Sequence, residues 1–378
     1  MKIYKAGVIG TGFVGQIHIE TLRRLGNVEV LAVADPISAR EVAAKMNIPN
    51  HFDSYKEMMD SLPLDAVHIC TPNNSHYEIA MYALERGIHV MCEKPMTTTV
   101  EEAEKLLAKV QKTGLTFALN YHNRFYPMTH HMRNTVSDGT LGDVFSITGT
   151  YTQDWLLYET DYSWRLSAVE SGKTRAVADI GSHWMDLVEY VSGQKITHVC
   201  ADFSIIHKTR KKPKQNVLAF STEKFSESDY EDIPINTEDS ASVMFRFSGG
   251  AKGSAFFSQV IAGKSVDIDV LIGGYKKSAQ WKSESCNKLT IGNKDSFCEV
   301  MEKGFATIHP NSRPLVAYPI GHLEGFVDAF KQCFVQVYNS LDNPDAPRDF
   351  ACAADGLHAM QICDKIFESN EKQQWVEV

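Results

Sequence analysis

The sequence predicts an α/β protein in two parts: a doubly wound parallel sheet over residues 1–121, then a second α/β domain over residues 122–378. Three observations carry this. Short apolar runs alternate with helical patterns up to Tyr121, as in a parallel sheet with crossover helices. Glycines close the helical stretches at Gly87, Gly114 and Gly193. Beyond Tyr121 consecutive strand-like runs are joined by Gly249-Gly250 and Gly273-Gly274, which reads as an antiparallel sheet. A length of 378 residues suits two domains.

In the first domain, residues 4–9, 28–34, 66–70, 88–91 and 115–120 read as strands. Residues 14–25, 38–46, 75–86 and 100–112 read as the helices between them. Right-handed crossovers make that alternation doubly wound. In the second domain, helices are expected over 126–136, 177–191, 321–338 and 350–368. Strands are expected over 144–153, 196–206, 240–247, 251–260, 265–272 and 277–281. Residues 207–239 are basic first (Lys208, Arg210, Lys211, Lys212) and acidic later (Glu227, Asp229, Glu231, Asp232), the pattern of a solvated surface excursion.

Composition narrows the function classes. Hydrophobic residues at 43% and charged residues at 22% exclude a disordered or fibrous chain. A formal net charge of −9 gives no overall pull toward nucleic acid or anionic membranes, and neither is expected as a partner. No apolar run reaches the ~18 residues of a membrane span. The first ten residues lack a signal-peptide pattern, so a cytoplasmic location is expected. Eight scattered cysteines with no C-x-x-C pair argue against a disulfide framework or a zinc cluster, and no metal is expected.

Gly10-Thr11-Gly12-Phe13-Val14-Gly15 spells G-x-G-x-x-G between a strand and a helix, and Asp35 ends the second strand 20 residues past Gly15. That context predicts a dinucleotide site. Gly10 makes the tight turn, Gly12 admits the pyrophosphate to the helix N-terminus, and Gly15 lets helix and strand pack closely. The Asp35 carboxylate suits both adenosine ribose hydroxyls and repels a 2′-phosphate, favouring NAD and leaving NADP possible. Arg40 is the residue that would soften this preference, although its spacing also suits a helix surface.

Thr71-Pro72-Asn73-Asn74-Ser75-His76 follows the third expected strand and Glu93-Lys94-Pro95 the fourth, at carboxyl ends where such sheets bind ligands. With Asp179-Ile180-Gly181-Ser182-His183 they make an ordered set: G-x-G-x-x-G, T-P-N-x-x-H, E-K-P and D-x-x-x-H. In these motifs the sequence resembles the Gfo/Idh/MocA oxidoreductases, the glucose–fructose oxidoreductase and inositol dehydrogenase group. The stretch 171–176 before D-x-x-x-H departs from the glycines usual in that family.

The resemblance implies an N-terminal Rossmann domain and a C-terminal domain with a large open, mostly antiparallel sheet that forms a dimer or tetramer. It implies an NAD(P)-dependent dehydrogenase or reductase acting on a CH–OH or C=O group of a sugar or cyclic polyol. Carried over, Lys94 is the active-site lysine, with Asp179 and His183 at the substrate carbinol. Thr71, Pro72, Asn73, His76, Glu93 and Asn120 join the glycine turn as cofactor residues, with Trp164 and Arg165. Tyr121, His122, Arg124 and Asp154 are further substrate candidates. Asp179 and His183, spaced i, i+4, are expected on one helix face. A histidine titrates near neutrality and a lysine steadies a developing alkoxide. Asp186 reads as a surface residue or cap, and His322 as a cap or core residue. A redox-neutral glycosidase using bound NAD and a non-catalytic sugar or nucleotide sensor are the alternative functions.

Overall fold

A computed structural model describes residues 2–215, 225–343, 345–346 and 348–378. The chain forms two compact units: Met1–His122 with Val169–Gly172 and Phe330–Met360, and Asn123–Ala168 with Lys173–Ala329 and Gln361–Val378.

The first unit contains β1 (Tyr4–Ile9), α1 (Phe13–Leu25), β2 (Val28–Ala34), α2 (Ala39–Met46), β3 (Asn50–Phe52), α3 (Tyr55–Ser61), β4 (Ala66–Ile69), α4 (His76–Glu85), β5 (His89–Cys92), α5 (Val100–Thr113) and β6 (Phe117–Leu119). The strands lie in the order 3-2-1-4-5-6, all parallel, which is the dinucleotide-fold order. The short strand Ala351–Cys352 adds antiparallel to β6. β4 is buried at every position, as a strand covered on both faces must be. Its Val67 and Ile69 pack with Val90, Phe117 and Leu119 in the unit's core. Local chemistry sets the helix ends. Thr99 caps α5 by accepting from the Glu102 amide, and Gly114 closes it at φ 68°. β3 and α3 were not expected; at three and seven residues they are too short to show a period.

The second unit begins with α6 (Pro127–Ser137) and β7 (Val144–Thr152). After α7 (Ala168–Ser171) come a π-helical turn at Val177–Gly181 and α8 (Ser182–Ser192). β8 (Ile196–Ser204), β9 (Thr209–Pro213), β10 (Tyr230–Pro234), β11 (Ser240–Phe247), β12 (Lys252–Ser258), β13 (Asp267–Gly274), β14 (Ser278–Lys282), β15 (Lys288–Gly292) and β16 (Glu299–Glu302) follow. The chain ends with α9 (Phe326–Leu341), β17 (Ala351–Cys352), α10 (Ala353–Lys372) and β18 (Val376–Glu377). Nine strands form one sheet in the order 16-15-14-13-7-12-11-8-18. Only β12 and β7 pair in parallel there. β11 alternates buried and exposed residues, the pattern of a sheet covered on one face. On the covered face Trp184 of α8 stacks on Phe245 and meets Phe257 edge-on.

Three expectations are corrected. The basic–acidic stretch folds into an antiparallel ribbon, β9 with β10, where Lys211 pairs with Asp232 and Lys212 with Glu231 across the strands. Its Arg210 is fully buried against Asp239 rather than solvated, while residues 216–224 lie outside the described part. The helix expected from residue 321 begins at Phe326, and His322 is exposed in a turn before it, neither cap nor core.

Candidate active site

The glycine turn has the geometry its sequence demands. Gly10 sits at φ +86°, and a Cβ there would lie 2.6 Å from the Cys70 carbonyl oxygen. At Gly15 a Cβ would come within 2.0 Å of the Gly10 carbonyl oxygen, so strand and helix touch backbone to backbone. Gly12, the α1 N-cap, is the opposite case: a Cβ there meets nothing within 4 Å. Open space therefore fronts the unpaired amides of the first helical turn, as a pyrophosphate needs. Thr11 is buried, and Phe13 and Val14 open the helix.

Asp35 is tied into that turn. Its Oδ2 accepts from the Thr11 amide at 2.9 Å, and its Oδ1 from the Ile37 and Ser38 amides at 2.9 and 3.0 Å. Burial pushes its pKa up, but these amide hydrogen bonds outweigh that and hold it below the usual carboxylate range. Three of its roughly four acceptor positions are thus filled by backbone, leaving about one for a ribose hydroxyl. Arg40 is exposed in the first turn of α2. These features fit a dinucleotide.

At the carboxyl end of β4, His76 bridges two loops: Nε2 lies 2.9 Å from the Thr71 carbonyl oxygen and Nδ1 2.8 Å from that of Pro95. Burial pushes this imidazole down, against two carbonyls that favour the doubly protonated ring. Asn73 donates to the Ser171 carbonyl at 3.3 Å. The E-K-P loop leaves the end of β5 with the Lys94–Pro95 peptide cis and Lys94 half-buried.

Glu93 ends a chain of buried groups that the sequence reading missed. Its Oε1 is 3.0 Å from His18 Nε2 and accepts from Asn120 Nδ2 at 2.5 Å. His18 Nδ1 faces His68 Nδ1 at 2.9 Å, and His68 Nε2 lies 3.0 Å from the Tyr338 hydroxyl. Each link can be satisfied in either direction along the chain as far as Tyr338, and in both cases His18 Nε2–H donates to the carboxylate. Burial raises the Glu93 pKa, but the His18 hydrogen bond and charge, then Lys94 and Asn120, bring it down to about 2. The Asn120 Oδ1 atom is buried with no partner among the described residues, an acceptor that a carboxamide donor of a bound cofactor would satisfy.

Tyr121 and His122 are both buried. The His122 ring lies 4.4 Å from that of Phe330, and burial, with Lys94 nearby, pushes its pKa down to about 4. Arg124 forms a buried ion pair with Asp186 and lies over the Tyr190 ring at 5.0 Å. Asp186 is therefore neither surface residue nor cap. Every residue of α8 is buried, so an acid on it requires an internal partner.

Asp179 belongs to the π-helical turn and His183 to the first turn of α8. The i, i+4 spacing thus crosses a change of helical pitch, rather than following one regular α-helical face. The Asp179 carboxylate is held from both sides: Arg165 Nε donates to Oδ1 at 3.0 Å and Gln259 Nε2 to Oδ2 at 2.8 Å. Arg165 lies over the Trp164 ring at 4.4 Å, so this pair fixes an acid within the second unit. His183 is 7% exposed, with the Tyr151 ring 6.3 Å away. Burial, then the Asp179 charge, pushes the Tyr151 phenol well up. Asp154 accepts from the Gly263 amide at 3.2 Å. Among the described residues no group of three or more His, Cys, Asp or Glu side chains is placed to hold a metal, and no helix is long and apolar enough to cross a membrane.

A 3-2-1-4-5-6 parallel sheet with this glycine turn defines the chain as a protein of the NAD-binding Rossmann class. Residues 4–121 match the Gfo/Idh/MocA oxidoreductase family with its NAD-binding Rossmann fold, and residues 129–280 match the family's C-terminal domain. The chain belongs to the Gfo/Idh/MocA family. Levoglucosan dehydrogenase of Pseudarthrobacter phenanthrenivorans is 27% identical over 397 residues, spanning 100% of this chain and 99% of that protein. A levoglucosan dehydrogenase solved with NADH and L-sorbose has a TM-score of 0.89 at 25% identity, covering 100% of this chain and 99% of its own. An oxidoreductase domain protein from Kribbella flavida gives 0.89 at 26% identity, with 100% of both chains covered.

Proposed function

We propose that this protein is an NAD-dependent dehydrogenase or reductase acting on a CH–OH or C=O group of a sugar or cyclic polyol. The observation that carries the reading is the Asp179 carboxylate, fixed by Arg165 and Gln259 four residues before His183, in a chain whose first unit holds an open dinucleotide turn. Relatives that act on levoglucosan support the substrate class. When bound, NAD supplies the hydride acceptor.

The protein's own residues handle binding and the proton. His183, whose imidazole nitrogen can accept a proton, takes the hydroxyl proton of the substrate. Asp179 orients the imidazole or accepts from a neighbouring hydroxyl. Lys94 donates to the oxygen as negative charge develops on it. Asp35 selects NAD over NADP because its charge repels a 2′-phosphate. Tyr121, His122 and Asp154 are further substrate candidates, and Arg124 acts through its ion pair with Asp186.

The reading extends to a homo-oligomer in the cytoplasm. One face of the nine-stranded sheet is left open beside the face covered by α8, and its β11 row carries Met244, 47% exposed. An apolar side chain on an open sheet face suits a second copy.

The test is a screen of sugars and polyols with NAD, following NADH absorbance, alongside Lys94→Ala and His183→Ala. Turnover by the wild type and its loss in both folded variants is expected. Activity in both variants would refute the site, and release of an aglycone without NADH would favour a redox-neutral glycosidase.

A further inference from the structure

We propose that Gln259 is a positioning residue that keeps the Asp179 carboxylate charged and fixed in direction; this rests on the reading of Asp179 and His183 given above. Gln259 follows β12 and is fully buried. Its backbone is held on both sides: its amide donates to the Asp239 carbonyl at 3.0 Å, and its carbonyl accepts from the Leu156 amide at 3.2 Å. From that fixed base Nε2 reaches Asp179 Oδ2 at 2.8 Å.

The other end of the amide supplies the argument. Oε1 is buried and has no partner among the described residues. Turning the amide over would free the nitrogen but press Oε1 against a carboxylate oxygen. The orientation that leaves Oε1 without a partner among the described residues is the one that holds an N–H on Asp179. A residue serving only to fill space would be apolar at no such cost.

The surroundings explain why a neutral donor is useful. Asp179 already faces a cation, Arg165, from the 164–166 turn. Its titratable surroundings include Tyr151 on β7, whose ring lies 6.3 Å from that of His183 on α8, and the Asp179 amide donates at 2.7 Å to the carbonyl of Arg175, whose guanidinium pairs with Asp239. Gln259 adds a hydrogen bond to the carboxylate without adding charge. The arrangement favours the ionised acid while sparing the site a further cation that would disfavour proton uptake by His183.

The test replaces the donor by an acceptor of the same shape. In Gln259→Glu two carboxyl groups face each other and share a proton, so the acid limb of the kcat/KM–pH profile should move up by about one pH unit or more. NAD affinity, measured by binding titration, should stay unchanged. Gln259→Met removes the donor without adding charge. It should lower kcat by about tenfold, less than the ~10²–10³ lost with a donor that touches the developing charge itself, because Gln259 acts through Asp179. It also serves if the charged variant fails to fold. An acid limb in the wild-type position for Gln259→Glu would overturn the proposal, as would wild-type kcat for Gln259→Met. If Lys94→Ala and His183→Ala are inactive while these Gln259 results are negative, this proposal fails and the site reading stands. If those two variants are active, the site reading itself fails.

Discussion

Glu93→Gln isolates the buried chain beneath the E-K-P loop. The variant keeps the shape and an acceptor for His18 and Asn120 but removes the charge. In the folded protein Glu93 titrates at about 2 against an ordinary value of 4.5. Between those values the unfolded chain binds more protons than the native one, so stability falls as the pH falls. At about 1.4 kcal/mol per pH unit, the full contribution is about 3 kcal/mol, present above pH 5 and lost toward pH 2. By pH 3.5 about 1.4 kcal/mol of it is gone, a factor of about ten in the opening equilibrium. His68, held well below the usual imidazole range by burial, and His122, held at about 4, destabilise the protein below their unfolded pKa as well. The Glu93 charge raises both imidazoles, so the variant loses somewhat more through them, which narrows the gap between the two proteins without closing it. Tryptophan fluorescence is a poor probe, since Trp155, Trp164, Trp184, Trp281 and Trp375 all lie in the second unit. Hydrogen exchange of the β5 and β6 peptides, corrected for intrinsic rates, reads the first unit directly. Wild-type protection should fall severalfold more than that of Glu93→Gln between pH 7 and pH 3.5, with the factor of about ten from Glu93 alone as the upper limit. Equal pH dependence in the two proteins would refute the reasoning.

Three further outcomes are expected. Gly12→Ala should melt like the wild type yet lose NAD affinity, because its Cβ enters only the open space of the turn, whereas Gly15→Ala should destabilise the unit itself; differential scanning calorimetry and NAD titration separate the two. Asp35→Ser should weaken NAD more than NADP and also lower stability, since three backbone amides lose a charged acceptor; an unchanged ratio of the two dissociation constants would count against the assignment. Asp239→Asn should destabilise the second unit by about 3–5 kcal/mol, because Arg175 and Arg210, both buried, would lose the carboxylate they share; a urea midpoint within error of the wild type would contradict this.

What the sequence made legible was local. The glycine turn, its acid and the β4 and β5 loops follow from contiguous residues, and the parallel order follows from alternating apolar runs. β3 and α3 escaped notice because three and seven residues cannot show a period. The partners that define the site escaped for a different reason: they are distant in the chain. Gln259 meets Asp179 across 80 residues, His18 meets Glu93 across 75, and Arg124 meets Asp186 across 62. A lone Gln after a strand or a His in a helix carries no local sign of its partner. Charge predicts a surface or capping place for Asp186 and a solvated one for Arg210, and a buried counter-ion overrides that expectation for both. The same held for D-x-x-x-H, whose spacing gave the residues but not the π-helical turn carrying the first of them.

The central claim is that a hydrogen passes between a carbinol carbon and the nicotinamide. A sugar or polyol substrate found in the screen, deuterated at its reactive carbinol carbon and incubated with NAD, tests it by mass spectrometry of the dinucleotide. One deuterium is expected in the NADH formed, and none with Lys94→Ala or His183→Ala. Reduced dinucleotide without the label, or product formed with no change in the dinucleotide at any stage, would contradict it.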